Sequence, residues 1–127
     1  MDRASADYIG MIATIINGIA LGEALERNHI DVRVTSAIEI NKVAEPFIRK
    51  RVLRHIEKCR IVICSGGTGS PYHTTDSAAV NRALELDCSI LVKGTKVDGV
   101  YDKDPLIYPD AQRFDRLDIR KAFQMGI

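Results

Sequence analysis

The stretch from Arg60 to Leu86, RIVICSGGTGSPYHTTDSAAVNRALEL, constrains the fold more than any other part of this sequence. Ile61, Val62 and Ile63 form a short β-branched run, too brief for a helix and bounded by a dense turn signal, so it reads as a buried strand. Gly66, Gly67 and Gly69 then allow tight turning and close backbone approach. Thr74 or Thr75 is placed to cap a helix that carries the chain on to about Leu86. A strand that empties through a glycine loop into a helix is the repeating unit of parallel sheets.

The rest of the chain follows the same grammar. A helix is expected from about Ala6 to Arg27, with Ile9, Ile12, Ala13, Ile16, Ala20 and Leu25 implying burial of most of its circumference and Asn28 as its stop. DVRVTSAIEI follows as a strand, with alternation at Val32 and Val34. Pro46 suits the first turn of a second helix, whose stripe Ile48, Val52, Leu53, Ile56 ends near Lys58. SILVKGTKVDGV reads as a further buried strand with a polar loop behind it. From Tyr101 the prolines and aspartates predict loop, with a short helix near Arg120 to Gln124. Helix, strand, helix, strand, helix, strand implies an α/β fold: one domain over 1–127, a parallel sheet with helices on both faces. Ligands of such sheets gather at the carboxyl ends of the strands, where both glycine-containing loops should lie.

Composition excludes several function classes. The 127 residues carry a formal net charge of +1, so no global field recruits nucleic acid or an anionic membrane. The basic stretch Arg49 to Arg60 has its own apolar stripe and reads as the solvated side of a surface helix. No apolar run is expected to span a bilayer, and Met1-Asp2-Arg3 opens no signal-peptide pattern. Cys59, Cys64 and Cys88 form no C-x-x-C pair, and His29, His55 and His73 are scattered, so buried reduced thiols are expected and no metal site.

Two loops carry the chemistry. In the first, Thr68, Ser70, Thr74 and Thr75 supply hydroxyls, Gly69 and its neighbours let backbone amides approach a ligand, Pro71 stiffens the turn, Tyr72 offers a ring and His73 a second polar group. With a helix amino end behind them, they sum to a nucleotide monophosphate site. On composition alone, an ordinary capped strand-to-helix turn stands beside that reading. Asp76 either complements the helix dipole or is a carboxylate near a transferring phosphate. In the second loop, Thr95 and Lys96 sit just past the strand, Tyr101 can border a purine, and Asp98, Asp102 and Asp104 can accept hydrogen bonds. A polar surface loop with an Asp-Gly turn is the plain alternative.

Taken together, GTGSPYHTTDSAA and KGTKVDGVYDKDP resemble bacterial uridylate kinase, a branch of the amino acid kinase superfamily. MDRASADYIGMIATIINGIAL and SAIEINKVAEPFIRKRVLRHIEK look like the same family, so the similarity runs from Met1 to about Asp118. The resemblance implies phosphate transfer from ATP to UMP, giving UDP for pyrimidine nucleotide synthesis. It implies a cytoplasmic homohexamer responsive to GTP and UTP, and Mg2+ arriving with the phosphates. By motif position, Asp7 resembles the aspartate at the UMP ribose. Thr68, Gly69, Ser70, Pro71, Tyr72, His73, Thr74 and Thr75 resemble the loop around UMP. Thr95, Tyr101 and Asp104 resemble the ATP positions, and Asp76 an aspartate near the transfer centre. Two departures stand out: the family usually has Asn at the place of Ser70, and two aromatics at Tyr72-His73.

The family's lysine-bearing and arginine-bearing glycine-rich segments have no counterpart in these 127 residues, and neither does its carboxyl-terminal part. A partial domain without kinase turnover of its own is therefore expected. Two alternatives are a non-catalytic nucleotide-binding or assembly fragment, and a same-fold enzyme acting on a carboxylate or carbamate. A nicotinamide-dependent oxidoreductase fits poorly, because Asp87 precedes its strand instead of closing it.

Overall fold

The computed structural model describes residues 1–125. The chain forms two compact units, Met1–Leu91 and the remainder from Val92. The first holds α1 (Arg3–Arg27), β1 (Val32–Ser36), β2 (Glu45–Pro46), α2 (Arg49–Glu57), β3 (Ile61–Ser65) and α3 (Thr75–Glu85); α4 (Ile119–Met125) lies in the second.

The sheet has the order β2-β1-β3 and is parallel throughout. Val32 pairs with Ile61 and Ser36 with Ser65, so both strands end level with each other where the glycine loop begins. Arg60 donates to Asp31 Oδ2 at 2.8 Å, tying the two strand entrances together. That bond is the main cause holding the Asp31 carboxyl below its ordinary value. Side chains alternate across the strands. Val34, Ile63 and Ser65 meet α1 on one side. Glu45, on the other side, is met by His55 and Arg51 of α2. The sheet is thus covered on both faces, as expected.

Helix α1 starts earlier than expected because Asp2 caps it: Oδ1 accepts from the Ser5 amide at 3.0 Å. Its contact side also differs from the expectation. Met11, Ile15, Gly18 and Gly22 are buried, whereas Ile9, Ile12 and Ile16 are exposed. The glycines explain this, since they let the helix axis approach the strands. A Cβ on Gly22 would stand 2.8 Å from Val34 Cγ2, and one on Gly18 would collide with Ser65 Oγ. With 25 residues and an apolar composition, α1 is long and apolar enough to cross a membrane by those two measures, which corrects the expectation that no run is. In this fold its glycine-lined side lies on the sheet.

Other expectations are revised as well. Pro46 belongs to β2, not to a helix, and α2 begins at Arg49. Proline suits an edge strand because that strand needs no donor on its outer side. Of the α2 stripe, Val52 is fully buried and Ile48 and Ile56 are exposed. β3 is buried only at Ser65 along its five residues. The three cysteines are exposed, not buried. Residues 89–100 form no strand, and Ile90, Leu91 and Val92 are exposed. Their composition suits a sheet, but a strand exists only with a ladder partner, and among the described residues none pairs with them.

Helices α1, α2 and α3 end alike. His29, Cys59 and Asp87 adopt left-handed φ of 60, 56 and 55° just past the caps. Each donates its amide to the carbonyl three residues back, and the next residue reaches five back, the double closure that satisfies the last turn's carbonyls.

The close seat of α1 generates a paired prediction. Gly18→Ala should lower the unfolding free energy by about 1–3 kcal/mol through overpacking. Gly10→Ala, where nothing lies within 4 Å of a new Cβ, should raise it by roughly 0.5–1 kcal/mol through helix propensity. Urea denaturation of the two variants checks both signs.

Candidate functional site

The strand ends, the glycine loop and the first half of α1 converge. Ser65 at the end of β3 leads into Gly66, Gly67 and Gly69, with φ of 81, 58 and 81°. These left-handed values let the chain turn back over the sheet edge. The loop is then fastened from both sides. Gly66 donates its amide to Thr14 Oγ1 of α1 at 2.9 Å, and the Thr14 hydroxyl in turn donates to the Met11 carbonyl at 2.7 Å. Within the loop, Thr68 Oγ1 donates to the Ser70 carbonyl at 2.9 Å and accepts the Ser70 amide at 3.2 Å. Further on, Asp7 Oδ2 accepts the Tyr72 amide at 2.7 Å.

The loop ends at α3. Thr74 is the cap: its hydroxyl oxygen accepts the Ser77 amide at 3.1 Å. The sequence left the choice between Thr74 and Thr75 open; Thr75 is the first helical residue. Asp76 follows in the first turn, exposed, where a carboxylate complements the helix dipole.

Between α1 and this loop lies a cavity of about 240 Å³. Asp7, Gly10, Met11 and Thr14 bound it on the helix side, and Gly67, Thr68, Ser70, His73, Thr74 and Thr75 on the loop side. Asp7, Thr68, Ser70, His73, Thr74 and Thr75 are therefore brought together. Gly69, Pro71 and Tyr72 belong to the same loop but not to the cavity's lining, and the same is true of Asp76 on α3. Sequence reasoning missed Thr14. A lone threonine inside an apolar helix gives no signal until the glycine loop is laid beside it.

A larger cavity of about 710 Å³ lies beside β2 and the carboxyl half of α1. Its charged lining is balanced: Arg33, Lys42 and Arg51 against Glu23, Glu26 and Glu45. That balance gives no preference for an anion. The smaller cavity has the amino end of α3 at one side, where an anion is favoured, and the Asp7 carboxylate at the other.

Thr95, Tyr101 and Asp104 lie in the second unit. Tyr101 bridges antiparallel to Arg113. Its hydroxyl donates to Asp98 Oδ1 at 2.6 Å, and Arg113 donates to Asp98 Oδ2 at 3.0 Å. The phenol bond holds the Asp98 carboxyl below its ordinary value, and the same bond pushes the phenol up. Asp104 Oδ1 accepts the Leu106 amide at 2.9 Å, and the Thr95 hydroxyl donates to the Val97 carbonyl. Among the described residues no three His, Cys, Asp or Glu side chains gather to hold a metal ion.

Residues 1–126 match the amino acid kinase family, and the chain belongs to it. Solved structures similar to it include two UMP kinases. A UMP kinase from Ureaplasma parvum is 43% identical with a TM-score of 0.85, covered over 55% of its length by the whole of this chain. A UMP kinase from Bacillus anthracis is 40% identical with a TM-score of 0.83, covered over 53% of its length. The chain thus spans just over half of each.

Thr14→Val keeps the shape of the side chain and removes the acceptor for the Gly66 amide. A buried donor left without a partner costs roughly 1–3 kcal/mol. The variant should unfold at correspondingly lower urea, whereas Thr14→Ser, which keeps the hydroxyl, should stay within about 1 kcal/mol of the parent.

Proposed function

We propose that this chain carries the UMP-binding half of a UMP kinase, an enzyme that moves a phosphoryl group from ATP to UMP. One observation carries the reading: a single cavity is bounded on one side by the Asp7 carboxylate and on the other by the hydroxyl-rich loop that ends in the α3 amino terminus. A nucleoside monophosphate has matching ends. Its phosphate suits loop amides, threonine hydroxyls and a helix amino end. Its ribose hydroxyls suit a carboxylate acceptor. The UMP kinases of Ureaplasma parvum and Bacillus anthracis, similar over the whole chain, support the choice of UMP.

In this reading Thr74 and Thr75 hold the phosphate, Asp7 the ribose, and Thr68 and Ser70 keep the loop in shape. Thr95, Tyr101 and Asp104, by resemblance, take the ATP. ATP would supply the phosphoryl group, and Mg2+ arriving with the phosphates would offset their charge. Transfer is direct and in line, so the protein's work is positioning and charge stabilisation. Asp76 orients a cation near the transfer centre. The assembly is a cytoplasmic homo-oligomer, a hexamer by resemblance, with GTP and UTP as effectors and the exposed Ile9, Ile12 and Ile16 of α1 covered by a neighbouring copy.

The cavity's lining contains no lysine or arginine. Phosphoryl transfer needs such charge at the phosphates. Taken by themselves, the 127 residues therefore bind UMP without turning it over.

Isothermal titration with UMP, aspartate, glutamate and carbamate tests substrate class, alongside an assay for ADP release. The expected result is heat with UMP only and no ADP above background. Binding of an amino acid or carbamate in place of UMP would overturn the substrate assignment, and ADP release would overturn binding without turnover.

A further inference from the structure

Among the described residues, Tyr72 is the one non-glycine with left-handed φ (67°) that does not sit just past a helix end. His29, Cys59 and Asp87 have the double helix closure to hold them; Tyr72 does not. A side chain in this conformation costs roughly 1–2 kcal/mol, and it persists only where the surroundings fix it.

Two contacts on Tyr72 do so, both from the first turns of α1, with an ion pair joining them. Asp7 Oδ2 accepts the Tyr72 amide at 2.7 Å. Arg3 Nε stands 3.9 Å from the same Asp7 oxygen. The Arg3 guanidinium lies over the Tyr72 ring, 5.4 Å from its centroid. One cation, one carboxylate and one aromatic residue thus close on each other across 65 residues of sequence.

We propose that Arg3, Asp7 and Tyr72 form a clamp that sets the shape of the cavity's loop wall, with Arg3 a positioning residue. Asp7 lines the cavity, and His73 and Thr74, which follow Tyr72 directly, line it from the opposite side. Fixing Tyr72 therefore fixes where His73 points and where the α3 cap begins. Asp7 acts twice: one oxygen holds the loop, and the carboxylate as a whole presents acceptor capacity to the cavity. Arg3 does not line the cavity, so it acts only through Asp7 and Tyr72.

The consequence for ligand affinity rests on the UMP reading; the clamp does not, and two readouts separate them. The first is hydrogen exchange of the Tyr72 amide, followed by NMR on the ligand-free 127-residue chain. The second is UMP affinity by calorimetry. Arg3 is largely exposed, with 72% of its side chain open to solvent, so its substitution leaves the core intact. Arg3→Ala should speed Tyr72 amide exchange about 2–5-fold and weaken UMP by a similar factor, the size of an exposed cation–π contact. Arg3→Lys, which keeps the charge and can still sit on the ring, should restore most of both. Unchanged exchange in Arg3→Ala, or an Arg3→Lys variant as fast as Arg3→Ala, overturns the clamp. The expected exchange pattern in a chain that shows no UMP heat upholds the clamp and overturns the nucleotide reading.

Discussion

How closely α1 lies on the sheet decides what the strand ends can do. Gly18 and Gly22 remove the side chains that would hold the helix away, and Val34, Ile63 and Ser65 fill the space. That approach puts Thr14 within 2.9 Å of the Gly66 amide and Asp7 within 2.7 Å of the Tyr72 amide. A methyl group at either glycine would lift the helix and release both. The loop's three left-handed glycines give it freedom; the helix takes that freedom away again. Preorganisation of this kind is what the proposed phosphate-positioning role would need, because transfer chemistry depends on placement more than on covalent work.

The same closeness explains the division of labour along α1. Its buried line of Met11, Ile15, Gly18 and Gly22 serves packing, while the amino-terminal turns serve the site. The side that looks most apolar in the sequence, with Ile9, Ile12 and Ile16, faces outward. Large aliphatic residues signal burial only when counted by size. Here the small residues carry the contact, and the spacing of 11, 15, 18 and 22 was visible as a helical stripe had glycine been counted in it.

Much of the architecture was legible. The β3–loop–α3 unit follows from Ile61 to Ile63, the glycines and the threonine cap, and all three elements formed where expected. The parallel order followed from short strands joined by helices. What the sequence hid was context. Pro46 is compatible with both a helix start and an edge strand, and only the ladder beside β1 decides. Ile90 to Val92 have strand composition without a strand partner. At the cavity, the hydroxyls could be read from the chain and Asp7 only from the family resemblance, but Thr14, Arg3 and the Tyr72 backbone could not. Their roles arise from contacts 52 to 69 residues apart in sequence, across which no local pattern reports.

The central claim is that one ligand occupies the space between the first half of α1 and the glycine loop. Amide chemical-shift mapping during a UMP titration tests it most directly. The account predicts shifts concentrated at Asp7, Gly67, Thr68, Ser70, His73, Thr74 and Thr75. Shifts concentrated instead at Arg33, Lys42 and Arg51, around the larger cavity, would contradict it, and so would a spectrum that does not change.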